Sequence, residues 1–163
     1  MSLLQPATPY DVRCALTLCK SIASLYDQNL IERPHIIMCI NILLKSLMSI
    51  EHVEALALLI LGCGPTFWDL SNFTATTLGI GTYASGPQVP PKSTADLVQI
   101  FLDALLASVT KFSLHDSASL VFPSEVWGEG QLKIRLRQIE VALRKWAVLL
   151  SRSSQLGNPM DDR

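Results

Sequence analysis

Charge is scarce in this sequence. Only 17% of its 163 residues are Asp, Glu, Lys or Arg, and 13 basic side chains meet 14 acidic ones for a net charge of −1. Such a chain has no global positive field to draw nucleic acid or an anionic membrane from a distance. Long hydrophobic runs are also missing. The richest, Val53–Cys63, is interrupted by Glu54, and it falls well short of the roughly 18–20 apolar residues of a membrane span. No basic segment precedes an apolar run at the N-terminus, so no secretory signal is expected. Cys14, Cys19, Cys39 and Cys63 form no C-x-x-C pair, and His35, His52 and His115 are scattered. Zinc would want tighter ligand spacing. Neither a metal nor a cofactor is therefore expected, and the cysteines read as small buried hydrophobes of a reducing, cytoplasmic compartment.

Signs of catalysis are equally thin. No serine, histidine and acid fall into a nucleophile motif, and Asp103, Asp116, Glu125 and Glu129 show no pairing suited to acid–base work. His115 and Asp116 read as a helix cap. The pair Gly79 and Gly81 lacks the preceding strand and third glycine of a nucleotide-binding turn. The chain is not expected to be an enzyme.

What is present is aliphatic and helical. Hydrophobic residues make up 49% of the chain, and its mean hydropathy is +0.33. That value fits either a well-buried helical stack or an apolar surface that needs a partner. Residues 1–9 form a leader without periodicity. Five helical segments follow within a single domain over 10–152. The first opens at Tyr10 and Asp11, with Val12, Ala15, Leu16, Cys19, Ile22, Ala23 and Tyr26 at helical spacing. The second spans about Arg33–Met48, with Pro34 in its first turn. The third spans Ile50–Leu61, with Ser49 as its N-cap and Gly62, Gly64 and Pro65 as its stop. The fourth spans Ala95–Phe112, capped by Ser93 or Thr94. The last spans Gln131–Arg152 and is amphipathic, with Leu132, Ile134, Leu136, Ile139, Val141, Leu143, Trp146 and Leu149 among its apolar positions. A long loop is expected at 79–92, and 153–163 reads as a tail. No segment reads as a strand, so the fold class is all-α, built from antiparallel helix pairs.

The last helix is the most unusual in charge. Between Glu129 and Arg152 it carries six basic residues against two acidic ones, a local charge of +4 in a chain of net −1. Arg135, Arg137, Arg144 and Lys145 form a candidate basic ridge for an acidic protein partner or for RNA phosphates. RNA is the weaker of the two, because aromatic platforms do not interleave with the basic residues. Trp68, in an irregular segment after the third helix, is a candidate anchor for a partner, since tryptophan is enriched at binding hot spots.

Three motifs in order carry a resemblance. Ile22, Ala23, Ser24, Leu25 and Tyr26 end the first helix. A polar corner leads to Cys39, Ile40, Asn41, Ile42, Leu43 and Leu44, and then an acidic leucine helix, Val53–Leu59, closes at Gly64. With the later segment "KIRLRQIEVALRKWAVL" at Lys133–Leu149, this order resembles the middle domain of eukaryotic initiation factor 4G. Ala23 and Ser24 stand where that family usually has Gly-Glu. The resemblance implies a short HEAT-like solenoid of antiparallel helix pairs and a non-enzymatic adaptor in translation or messenger-RNA handling. The partner it implies is a protein, frequently a DEAD-box RNA helicase. A self-assembling helical structural protein, such as a viral matrix or capsid component, fits the high hydropathy as the alternative.

Overall fold

The computed structural model describes residues 8–70, 91–111 and 129–156, and all regular elements among them are helical. They are α1 (Pro9–Asp27), α2 (Arg33–Lys45), α3 (Ile50–Cys63), a 3-10 turn (Pro65–Trp68), α4 (Thr94–Val109) and α5 (Glu129–Leu156). The all-α expectation holds. Most of the long loop expected at 79–92, the irregular stretch 113–124 with its proposed His115–Asp116 cap, and Trp127 lie outside the described residues.

Local chemistry sets the helix ends. Ser93 and Asp96 form a reciprocal capping box at the start of α4. Each side chain satisfies a backbone amide that the helix itself leaves without a partner. Thr8 and Asp11 do the same for α1, which puts its first helical residue at Pro9, the last residue of the expected leader, and its N-cap at Thr8. Ser49 occupies the N-cap position of α3, but its side chain makes no capping bond. Its hydroxyl instead lies 2.9 Å from the Nδ1 of His52. Gly64 ends α3 with φ +71°, a conformation that glycine adopts without steric cost. Gly62, expected as part of that stop, is helical. A Cβ there would sit 2.6 Å from the Cβ of Ala23, so its smallness serves packing.

That contact fixes how α1 and α3 lie. Ala23 and Gly62 are both near the C-terminal ends of their helices, and the rings of Tyr26 and Phe67 meet edge to face at 5.7 Å just beyond. The two helices run alongside each other in the same direction, and α2 returns between them in sequence. On its other side α3 packs against α5, while α4 lies along α5 and touches α2. α3 is thus flanked by α1 and α5. Its Val53, Leu56, Ala57, Leu59 and Ile60 are fully enclosed. Ile36, Ile40 and Leu44 of α2 join them, as do Leu97, Val98 and Phe101 of α4 and Leu132, Ile139 and Leu143 of α5.

Two substitutions test this arrangement. Leu44→Ala, at a site 3% exposed, should lower the unfolding free energy by about 2–5 kcal/mol. Gly62→Ala should cost about 1–3 kcal/mol through overpacking against α1, although alanine is the better helix former. Denaturant titration followed by circular dichroism reads both, and an unchanged midpoint for Gly62→Ala would reject the close α1–α3 approach.

Candidate functional site

The basic residues singled out in the sequence all lie on α5, but the structure gives them different work. Arg135 is turned inward. Its Nε and NH2 donate to the two carboxylate oxygens of Glu54 at 2.8 and 2.7 Å, and its NH1 donates to Gln138 Oε1 at 2.8 Å. Both partners are mostly covered, at 22% and 14% side-chain exposure. A planar guanidinium matched to a carboxylate in this two-pronged way is fixed in direction. Arg135 therefore bolts α5 to α3 and is not part of an open ridge. Glu54, which interrupts the apolar run of α3, is explained by the same bond.

Trp68 is also inward. It is 0% exposed, with its ring edge to face against Phe67 and Phe101 at 5.3 Å each. Its Nε1 has no hydrogen-bond partner, so the packing of the ring offsets the cost of an unpaired buried donor. The side chain has no surface for a partner to touch. The irregular segment after α3 is a short 3-10 turn that points both of its aromatics into the core, and the sequence carried no periodicity from which to read that direction.

Arg137, Arg144 and Lys145 do face outward. Glu140 sits between the two arginines, accepting from Arg137 NH1 at 2.7 Å and from Arg144 Nε at 2.9 Å. Arg144 NH2 also reaches Gln99 Oε1 of α4 at 3.3 Å. The hydrogen bonds from Arg144, and next those from Arg137, hold the Glu140 carboxyl below the ordinary glutamate value. One carboxylate shared by two guanidiniums leaves a net positive charge. Lys145 is exposed and pairs with no carboxylate among the described residues.

Beside this row runs an open seam between α4 and α5. One depression of about 320 Å³ is lined by Leu102, Leu106 and Leu136, with Lys133, Arg137 and Arg144 on its α5 rim and Gln99 and Asp103 on its α4 rim. A second, of about 410 Å³, continues past Arg144 along Val98, Ala147 and Val148 to Arg152. Leu106 is 60% exposed here. The helices are antiparallel along the seam, since Ala95 meets Arg152 at one end and Leu106 meets Lys133 at the other. Sequence reasoning placed the basic residues on one helix but missed this groove, because it needs α4 to lie beside α5.

The cysteines take the buried course expected of them in part. Cys63 is enclosed, and burial pushes its thiol up to about 12. Cys19 and Cys39 are half-buried and Cys14 is exposed. No group of His, Cys, Asp and Glu among the described residues is arranged to hold a metal ion, and no described helix is long and apolar enough to cross a membrane. No protein-family model, curated protein or solved structure matches the chain.

Two measurements check the ion pairs. Glu54→Gln should lower stability by about 1–3 kcal/mol, since Arg135 would keep its covered position without its counter-charge. Exposed charge reversals elsewhere on α5 should cost less. Glu140 should titrate below an ordinary glutamate in a carboxyl-carbon NMR experiment, and its midpoint should rise in Arg144→Gln. Because its folded value is depressed, its contribution to stability is present above the unfolded value and lost as pH falls through the folded one.

Proposed function

We propose that the chain is a non-enzymatic adaptor of the initiation-factor-4G middle-domain type, a short HEAT-like stack that holds a protein partner against its α4–α5 face. The observation that carries this reading is the open seam between α4 and α5, with exposed Leu106 and a basic α5 rim. In a stack of helix pairs each pair needs a neighbour to cover its apolar side, and no described helix covers this one. The order of the helices supports the repeat. α3 lies between α1 and α5, and α2 and α4 touch each other. The direction shared by α1 and α3 is that of successive first helices in stacked pairs.

On this reading the partner is a protein, of which a DEAD-box RNA helicase is the one the resemblance implies, and the setting is cytoplasmic translation or messenger-RNA handling. The adaptor touches its partner at separated patches and favours one of its conformations by binding that one more tightly. RNA is the weaker partner, since among the described residues Glu140 takes up part of the charge that phosphates would need.

A specific observation favours a second reading. α1, at the far end of the stack, exposes Tyr10, Leu18 and Leu25 at 75%, 59% and 37%. Two uncovered ends on one molecule suit head-to-tail association, as in a self-assembling matrix or capsid component.

The test pairs affinity purification from a eukaryotic lysate with the light-scattering mass of the pure chain. A monomer that retains a DEAD-box helicase, and loses it on Leu106→Asp, is the expected result. A concentration-dependent oligomer with no helicase retained would overturn the adaptor in favour of assembly.

A further inference from the structure

α5 has a second apolar face that the core does not use. Leu132, Ile139, Leu143 and Ala147 are the buried side. Ile134, Val141 and Val148 lie outside that buried side, with exposures of 52%, 50% and 52%, and Val148 also borders the seam with α4. They are spaced by sevens, so they form a narrow stripe about 21 Å long on the helix surface. Basic residues bracket it. Arg137 and Arg144 stand on one flank and Lys145 on the other, while Arg152 stands at the C-terminal end of the stripe, where it also borders the seam with α4. The first two share the single carboxylate of Glu140. Lys145 and Arg152 pair with no carboxylate among the described residues.

We propose that this stripe is the seat of an acidic amphipathic helix from a partner protein, with the partner's aliphatic side chains along Ile134, Val141 and Val148 and its carboxylates meeting the basic flanks. The assignment rests on the adaptor reading and adds the chemistry of what is held. Branched aliphatic residues repeating every seven positions are the pattern that one helix offers to another. Flanking charges in such a contact set the choice of partner. Here they are positive on both sides, so an acidic helix gains and a second copy of α5 is repelled. A membrane surface is a poorer occupant. The stripe is one residue wide and has no aromatic side chain to enter the interface, unlike the broad apolar faces of helices that lie in lipid.

The test uses the full chain and a fluorescein-labelled synthetic helix of four heptads, with Ile and Leu along its seam and Glu at both flanks. Fluorescence anisotropy should show saturable binding that weakens as salt is raised. Val141→Asp should raise Kd by about tenfold or more, and Lys145→Glu with Arg152→Glu should do the same, which corresponds to about 1.4 kcal/mol per tenfold. Both variants change exposed side chains, and circular dichroism should show them folded as the parent. The same peptide with Lys in place of Glu should not bind.

Equal binding of the Lys peptide would overturn the proposal. So would retention of the Glu peptide by Val141→Asp. A dimer that Val141→Asp dissociates would assign the stripe to a second copy, and saturable binding of anionic phospholipid vesicles in place of the peptide would assign it to membrane. If Leu106→Asp abolishes helicase retention while Val141→Asp leaves both retention and peptide binding intact, the adaptor reading stands and the stripe assignment falls. If neither variant changes helicase retention, the α4–α5 face itself is not the docking site.

Discussion

A helix that is apolar on almost every side must be surrounded, and α3 is that helix. Of its two acidic side chains, Glu51 lies buried in the first turn and Glu54 is left to be accommodated on the α5 side. Arg135 accommodates it in a two-pronged bond, which acts together with the burial of Leu132, Ile139, Leu143 and Ala147 to set the rotation of α5 about its own axis. That rotation then decides which residues of α5 are enclosed. Ile139 and Leu143 turn in, while Ile134, Val141 and Val148 turn out. The outer surface thus follows from the packing and the ion pair in the layer beneath it.

The same pair divides the basic residues into two kinds. Arg135 supports the fold, with its guanidinium held between Glu54 and Gln138. Arg137 and Arg144 keep their outward position through Glu140, which orders them without cancelling both charges. Arranged side chains lose less freedom on binding than loose ones, so a carboxylate partner meets guanidiniums already held in place on either side of Glu140. Lys145 and Arg152 have no such support and would be ordered only by the partner.

The helices themselves were legible because their apolar spacing is strong and their starts carry polar caps. Ser93 and Pro34 stand where the sequence places them. Thr8 was passed over because two neighbouring prolines make the segment look like a leader, although a Thr three residues before an Asp is itself a start signal. Gly62 was read as a helix stop, since glycine near a helix end usually is one. Only the proximity of Ala23 gives its other meaning. On α5 the periodicity is nearly continuous around the helix, so sequence alone merged two apolar faces into one. The fate of Arg135 and Trp68 depended on contacts with residues far away in the chain, and no local pattern encodes those.

α1 is anchored unevenly. Its C-terminal third holds Ala23, the tight approach to Gly62 and the Tyr26 ring contact, whereas Val12, Leu16 and Cys19 are only half covered and the start is tied by its own capping box. Stability is graded along such a helix, because local opening costs only what the opened part had buried. The first turns of α1 form a separate low-energy unit that can unwind while the α1–α3 junction stays closed. The amide protons of Arg13–Leu18 then exchange with solvent through this partial opening, well before those of Ala23–Tyr26, which wait for the whole stack to come apart.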